Sequence, residues 1–161
     1  MKTLTFSLFI GFLPVMGWSD GGLALSIGFK TTHMTEEQRA VLNEDNEFVG
    51  VSFKHVMFRP FLFGYEASTF VNSYDIRSYS LGLSTGLTVV NTELFDVSVG
   101  ASYGVINGFT QEQVDSVFLN ENTMLFVAPY ATLMYRDTFG YTQRLLGAAR
   151  SHEVVIRVAE F

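Results

Sequence analysis

Large apolar residues alternate with small or polar ones along most of this chain. From Gly22 to Lys30, Leu23, Leu25, Ile27 and Phe29 share one face, while Gly22, Ala24, Ser26, Gly28 and Lys30 share the other. A period of two belongs to a β-strand with one greasy side. The second strand, about 48–54, sets Val49, Val51 and Phe53 against Gly50, Ser52 and Lys54. In the third, Phe61, Phe63, Tyr65 and Ala67 oppose Leu62, Gly64, Glu66 and Ser68. In the fourth, Tyr79, Leu81 and Leu83 oppose Ser78, Ser80, Gly82, Ser84 and Gly86. The fifth sets Phe95, Val97, Val99, Ala101 and Tyr103 against Asp96, Ser98, Gly100, Ser102 and Gly104. A sixth, 124–135, is apolar on both faces and carries Pro129. A seventh covers about 139–146 and an eighth about 153–161. On the eighth we read Val155, Arg157, Ala159 and Phe161 as the outward set, which turns Val154, Ile156 and Val158 inward.

The connections alternate in length. Residues 31–45 and 106–122 form long polar loops, whereas 136–138 is a tight turn and the link around His55 to Pro60 is short. An even number of strands, with short turns on one side and longer loops on the other, is the asymmetry of an outer-membrane barrel. The expected fold is therefore all-β, an eight-stranded antiparallel up-and-down transmembrane barrel with both termini on the periplasmic side. A soluble barrel would turn its apolar faces inward; here the Gly-rich smaller faces suit the crowded interior of a narrow cylinder. Tyr65, Tyr79, Tyr103, Tyr135 and Tyr141 fit aromatic girdles.

Composition narrows the picture further. The 161 residues suffice for one domain, and 48% of them are hydrophobic. Beyond the first residues no run is long and apolar enough for a spanning helix, so a closed barrel is the remaining way to cross a bilayer. Residues 1–19 read as a secretory signal: Lys2, a short apolar core from Leu4 to Met16, then Gly17 and Ser19 as the small residues before Asp20. Residues 20–161 then form the single barrel domain. A net charge of −6 disfavours a nucleic-acid partner. There is no cysteine, His33, His55 and His152 lack ligand spacing, and no phosphate-binding Gly loop occurs, so neither metal nor cofactor is expected.

Candidate chemistry gathers at one rim. If the strands run up and down, the first and third end together, bringing His33 toward Asn72 and Ser73 in the polar turn Thr69 to Asp75. A base beside a hydroxyl and a polar group for the carbonyl oxygen are the parts of an acyl-transfer site. The plainer alternative is a solvated histidine beside two good turn formers.

At these residues the chain resembles the lipid A palmitoyltransferase (PagP) family of eight-stranded outer-membrane enzymes. The resemblance runs through His33 with Asn43-Glu44, Gly64-Tyr65, Phe70-Val71-Asn72-Ser73, Gly82-Leu83, the Gly-rich stretch from Phe95 to Val105, the Pro-containing stretch from Phe126 to Tyr135, and Glu153 to Phe161. It covers most of the chain after the signal, though each motif is short. The resemblance implies a rim triad of His33, Asn72 and Ser73, with Asn72 where the family carries aspartate. An Asn cannot hold a negative charge against an imidazolium, but it can orient the ring or donate to a developing oxyanion.

Two further features suit a lipid enzyme. The inward faces of the sixth and eighth strands, with Phe126, Met134 and Ile156, make the lumen apolar enough for an acyl chain, and Gly82 and Gly86 leave room for its end. Pro129, lacking an N–H, can open a lateral slot. The expected function is transfer of a fatty acyl chain from a phospholipid to lipid A or a similar acceptor. It would be performed by a monomer embedded in a bacterial-type outer membrane with its site facing outward. A second expectation, drawn from Asn72 and the two long loops, is a non-catalytic barrel whose surface loops bind or mask a partner.

Overall fold

The computed structural model describes residues 19–58 and 60–160. The expected signal segment, Ser19 apart, lies outside the described residues. The elements are β1 (Ser19–His33), α1 (Glu36–Val41), β2 (Phe48–Phe58), β3 (Phe61–Val71), β4 (Arg77–Asn91), β5 (Phe95–Asn107), β6 (Phe118–Asn120), β7 (Thr123–Tyr135), β8 (Phe139–Leu146) and β9 (Ala149–Glu160). Every pairing is antiparallel between neighbours, β1 pairs with β9, and β5 pairs with β7 across the small β6. The sheet therefore closes on itself as an eight-stranded barrel, with β6 an extra piece of the loop between β5 and β7.

Alternation fixes which way each strand faces. Leu25, Ile27, Phe29, Val49, Leu81, Val127 and Leu133 are exposed on the outside. Ser26, Ser52, Ser84, Ser98, Ser102 and Thr132 are buried inside. So broad an exposed apolar belt belongs against lipid, and the closed ladder leaves no unpaired edge there. Among the described residues no helix is long and apolar enough to cross a membrane.

Three elements differ from the reading of the sequence. The first long loop contains α1. Thr35 caps it by accepting from the Gln38 N–H at 3.3 Å, and Glu36 and Glu37 favour the positive end of the helix. The strands also run further than the alternation alone suggests, and β9 begins at Ala149, just after a turn in which Gly147 takes φ +57°. Finally, β9 faces the other way round. Val155 is 7% exposed and lies inside with Glu153, whereas Ile156 at 38% and Val158 at 48% look outward. The run Val154-Val155-Ile156 has no alternation to read, and the charges decide it. Glu153 finds a cation in the lumen, and Arg157 pairs at the short-turn end with Glu160 at 2.9 Å and Asp137 at 3.6 Å.

Candidate functional site

The outer rim is built from three connections tied to one another. Asn72 holds the first of them, the turn between β3 and β4. Its Oδ1 accepts from the N–H groups of Tyr74 at 2.9 Å and Ile76 at 3.1 Å. Its Nδ2 donates to Ser78 Oγ at 3.0 Å and to the Gly108 carbonyl at 2.8 Å. The side chain, 2% exposed, thus stitches its own turn to the start of the loop after β5. Tyr74 adds a second stitch, donating its hydroxyl to the Gln113 carbonyl at 2.6 Å while its ring meets Phe109 edge-on. The loop after β1 joins through Asn43, whose N–H donates to the Ser73 carbonyl at 3.0 Å and whose Nδ2 donates to Asp75 at 2.6 Å.

His33 sits at the end of β1, 3% exposed, with its backbone N–H donating to Glu44 Oε1 at 2.9 Å and its carbonyl accepting from Arg39 at 2.7 Å. The imidazole Nδ1 lies 3.6 Å from the same carboxylate oxygen and has no hydrogen-bond partner. The backbone bond from His33 holds the Glu44 carboxyl below its ordinary range, helped by Lys30 and opposed by partial burial. Ser73 Oγ reaches only Asn46 Nδ2, at 3.5 Å, and Asn46 donates also to Thr31 Oγ1 at 3.0 Å. The rim therefore does gather His33, Asn72 and Ser73 around one opening, and all three line it. Among the described residues, however, no hydrogen bond joins them. Glu44 and Asn46 are the partners of His33 and Ser73, and Asn72 is fully engaged in holding the turn.

Below the rim the lumen holds a cavity of about 570 Å³. Its floor is a charged layer that the sequence reading passed over. Arg144 on β8 donates to Glu66 on β3 at 2.7 Å, to Glu153 on β9 at 3.1 Å and to Ser102 on β5 at 2.6 Å. Ser151 donates to the same Glu153 oxygen at 2.9 Å. Lys54 on β2 lies 4.9 Å over the Tyr130 ring, and Tyr130 donates to the Thr85 carbonyl at 3.4 Å. Residues from seven of the eight barrel strands thus meet across the bore. A charge on the inward face of a strand was the visible clue, present at Lys54 and Glu66.

The residues expected to hold an acyl chain are placed differently from one another. Phe126 and Met134 are buried in the lumen. Gly82 and Gly86 offer no room: a Cβ at Gly82 would stand 3.2 Å from Phe126 Cζ, and one at Gly86 would stand 2.6 Å from the Tyr130 hydroxyl. Rings from β7 already fill the space those glycines leave. Ile156 faces outward, away from the bore. Pro129 pairs with Ala101 of β5, while the ladder from β7 to β8 ends one residue earlier, at Tyr130 opposite Arg144. Leu125 and Val127, beyond that end, reach the cavity wall together with Leu146. A gap without ladder bonds therefore runs beside residues 126–129 of β7, between the β8 ladder and the short β6, which pairs at Thr123 and Met124 while the Leu125 N–H donates to the Val117 carbonyl at 2.8 Å.

The closed sheet, apolar belt, plugged bore and ordered rim define a transmembrane β-barrel of the outer-membrane type. It is similar to the crystal structure of Neisserial surface protein A (NspA), at 16% identity over 89% of this chain and 99% of that one, with a TM-score of 0.58. Ail, the attachment invasion locus protein of Yersinia pestis, matches at 10% identity over 88% of this chain and 98% of its own, with a TM-score of 0.47. No protein-family model matches the chain, and no curated protein does.

These findings overturn the palmitoyltransferase resemblance: the barrel that matches is Neisserial surface protein A and not a member of that family, and neither a family model nor a curated protein supports it. Its motifs have a structural explanation here: Asn72 and Asn43 tie loops, and the glycines admit rings. The expected acyltransferase activity falls with it, as do the phospholipid donor and the lipid A acceptor.

Proposed function

We propose that residues 1–19 export the chain, that residues 20–161 form one monomeric barrel in a bacterial-type outer membrane, and that its outer rim binds a partner without catalysing a reaction. The observation that carries this reading is the mutual tying of the three outer connections. Ordering loops costs conformational entropy, roughly 1–2 kcal/mol per residue, and a pre-ordered surface spares its partner that cost on binding. The charge on the same surface supports a cationic partner. Glu36, Glu37, Asp45, Asp75, Glu112 and Asp115 are exposed around it, while Arg39 is held by the His33 carbonyl and Arg77 lies 3.6 Å from Glu47. A basic polypeptide segment suits such a field, and a polyanion does not.

The test uses the refolded full barrel in lipid nanodiscs, titrated with a lysine-rich peptide and separately with a sulfated oligosaccharide. The expected result is salt-sensitive binding of the peptide alone, lost when residues 110–117 are replaced by a Gly-Ser linker. Lipid A from expressing cells should keep its mass. Equal peptide binding by the linker variant, or a lipid A heavier by one acyl chain, overturns the reading.

A further inference from the structure

The hollow part of the lumen has a wall of one character and a floor of another. Phe48, Phe70, Ile106, Met124, Phe126 and Leu146 give the wall an apolar surface. A volume of about 570 Å³ is in the range of sites for small organic ligands. On the floor four charges meet, and their pairing is uneven. Arg144 takes both carboxylates, Glu66 at 2.7 Å and Glu153 at 3.1 Å. Lys54 borders the same cavity, yet among the described residues it has no carboxylate at ion-pair distance and no hydrogen-bond acceptor. Its ammonium rests over the face of Tyr130 instead, 4.9 Å from the ring centre. A ring face attracts a cation but accepts no full hydrogen bond, so the ammonium is left to take its hydrogen-bond acceptor from whatever occupies the cavity it borders.

We propose that this cavity is a binding site for a small amphiphilic carboxylate, held head-down against Lys54 with its apolar body among the rings above. A carboxylate brings the charge-assisted hydrogen bonds that Lys54 lacks, and the wall removes the body from water. The opposite polarity is less well served. A cationic head would meet Glu153 Oε2, which is buried without a donor, but would lie beside both Arg144 and Lys54. The rim residues His33, Asn72 and Ser73 line the mouth of the same cavity, but the head-group contact lies at Lys54 on its floor and takes an anion where the rim takes a cation, so either proposal can fail alone.

The probe is octanoate, compared with octanol and octylamine, titrated calorimetrically into the refolded barrel held in a detergent-free amphipathic polymer. Wild type should bind octanoate saturably and the other two at least tenfold more weakly. Lys54→Gln should lose octanoate affinity at least tenfold while leaving octanol unchanged. Undiminished octanoate binding by that variant, or a preference for octylamine, overturns the proposal. Should Lys54→Gln fail to fold, the wild type still decides. The side-chain ammonium resonance of Lys54, with Lys30 the only other lysine after residue 19, should shift on adding octanoate and stay still with octanol. An unmoved Lys54 resonance overturns it equally.

Discussion

Below Arg144 the bore is filled, and above it the bore is hollow and lidded. In the lower half two large inward side chains lie against glycines. The Met134 sulfur packs where a Cβ on Gly140 would stand, and the Tyr130 ring covers Gly86 and Gly100. The hydroxyls of Thr132 and Thr142 bond each other at 2.8 Å. In the upper half the large residues ring an open space, and the tied loops cover it. Such a space persists only because the closed ladder and the rim hold the walls apart. The lower half is therefore the packed part, and the upper half holds the space on which both proposals rest.

The floor between the halves is the place to break this division. Arg144→Met leaves Glu66 and Glu153 buried without their cation, and we expect a loss of about 3–5 kcal/mol, since unpairing a buried charge is strongly destabilising. The denaturant midpoint of the refolded barrel measures it. Adding Glu66→Gln to that variant should recover part of the loss, because one uncompensated charge is gone; purely additive effects would show that the layer does not act as a unit.

A smaller effect is expected at the rim. Asn72→Asp keeps both acceptor contacts but removes the donations to Ser78 and to the Gly108 carbonyl, and places a carboxylate oxygen against that carbonyl. The cost should be about 1–3 kcal/mol, as for a buried acceptor left without its donor. It should show as faster proteolysis within 108–117 with the strands still protected. Unchanged cleavage would mean that the rim is ordered without Asn72.

Acid should loosen the loop after β1 least of all. The folded protein holds the Glu44 carboxyl below its ordinary pKa, so it favours the charged form. Its contribution is therefore present above the unfolded-state value and is lost as pH falls through the lower folded-state one. Hydrogen exchange at the His33 amide, corrected for intrinsic rates, should speed up as pH drops below about 4.5, and Glu44→Gln should remove that dependence. A wild-type profile identical to that of the variant would remove Glu44 from the lid.

Much of this architecture is legible in the chain itself. Strict alternation in β1 to β5 sets the strands, their facing and their number, because period-two burial leaves each residue one side to occupy. Loop lengths separate a long-loop end from a short-turn end, and strand parity alone brings His33, Asn72 and Ser73 to a common rim. Alternation is silent where residues on both faces are apolar, and Val154-Val155-Ile156 is such a place: the parity of Glu153 and Arg157 carries the answer there. What His33 and Ser73 touch depends on the path of residues 31–47, which brings Glu44 to His33 and Asn46 to Ser73. A local pattern holds no record of that path. Nor does it record the floor. Lys54, Glu66, Arg144 and Glu153 are each visible as inward charges, but which of them pair, and that Lys54 is left over, follows from closing the sheet. Closure brings strands distant in sequence to face one another across a bore a few side chains wide, and only there do Coulomb attraction and side-chain reach choose the partners.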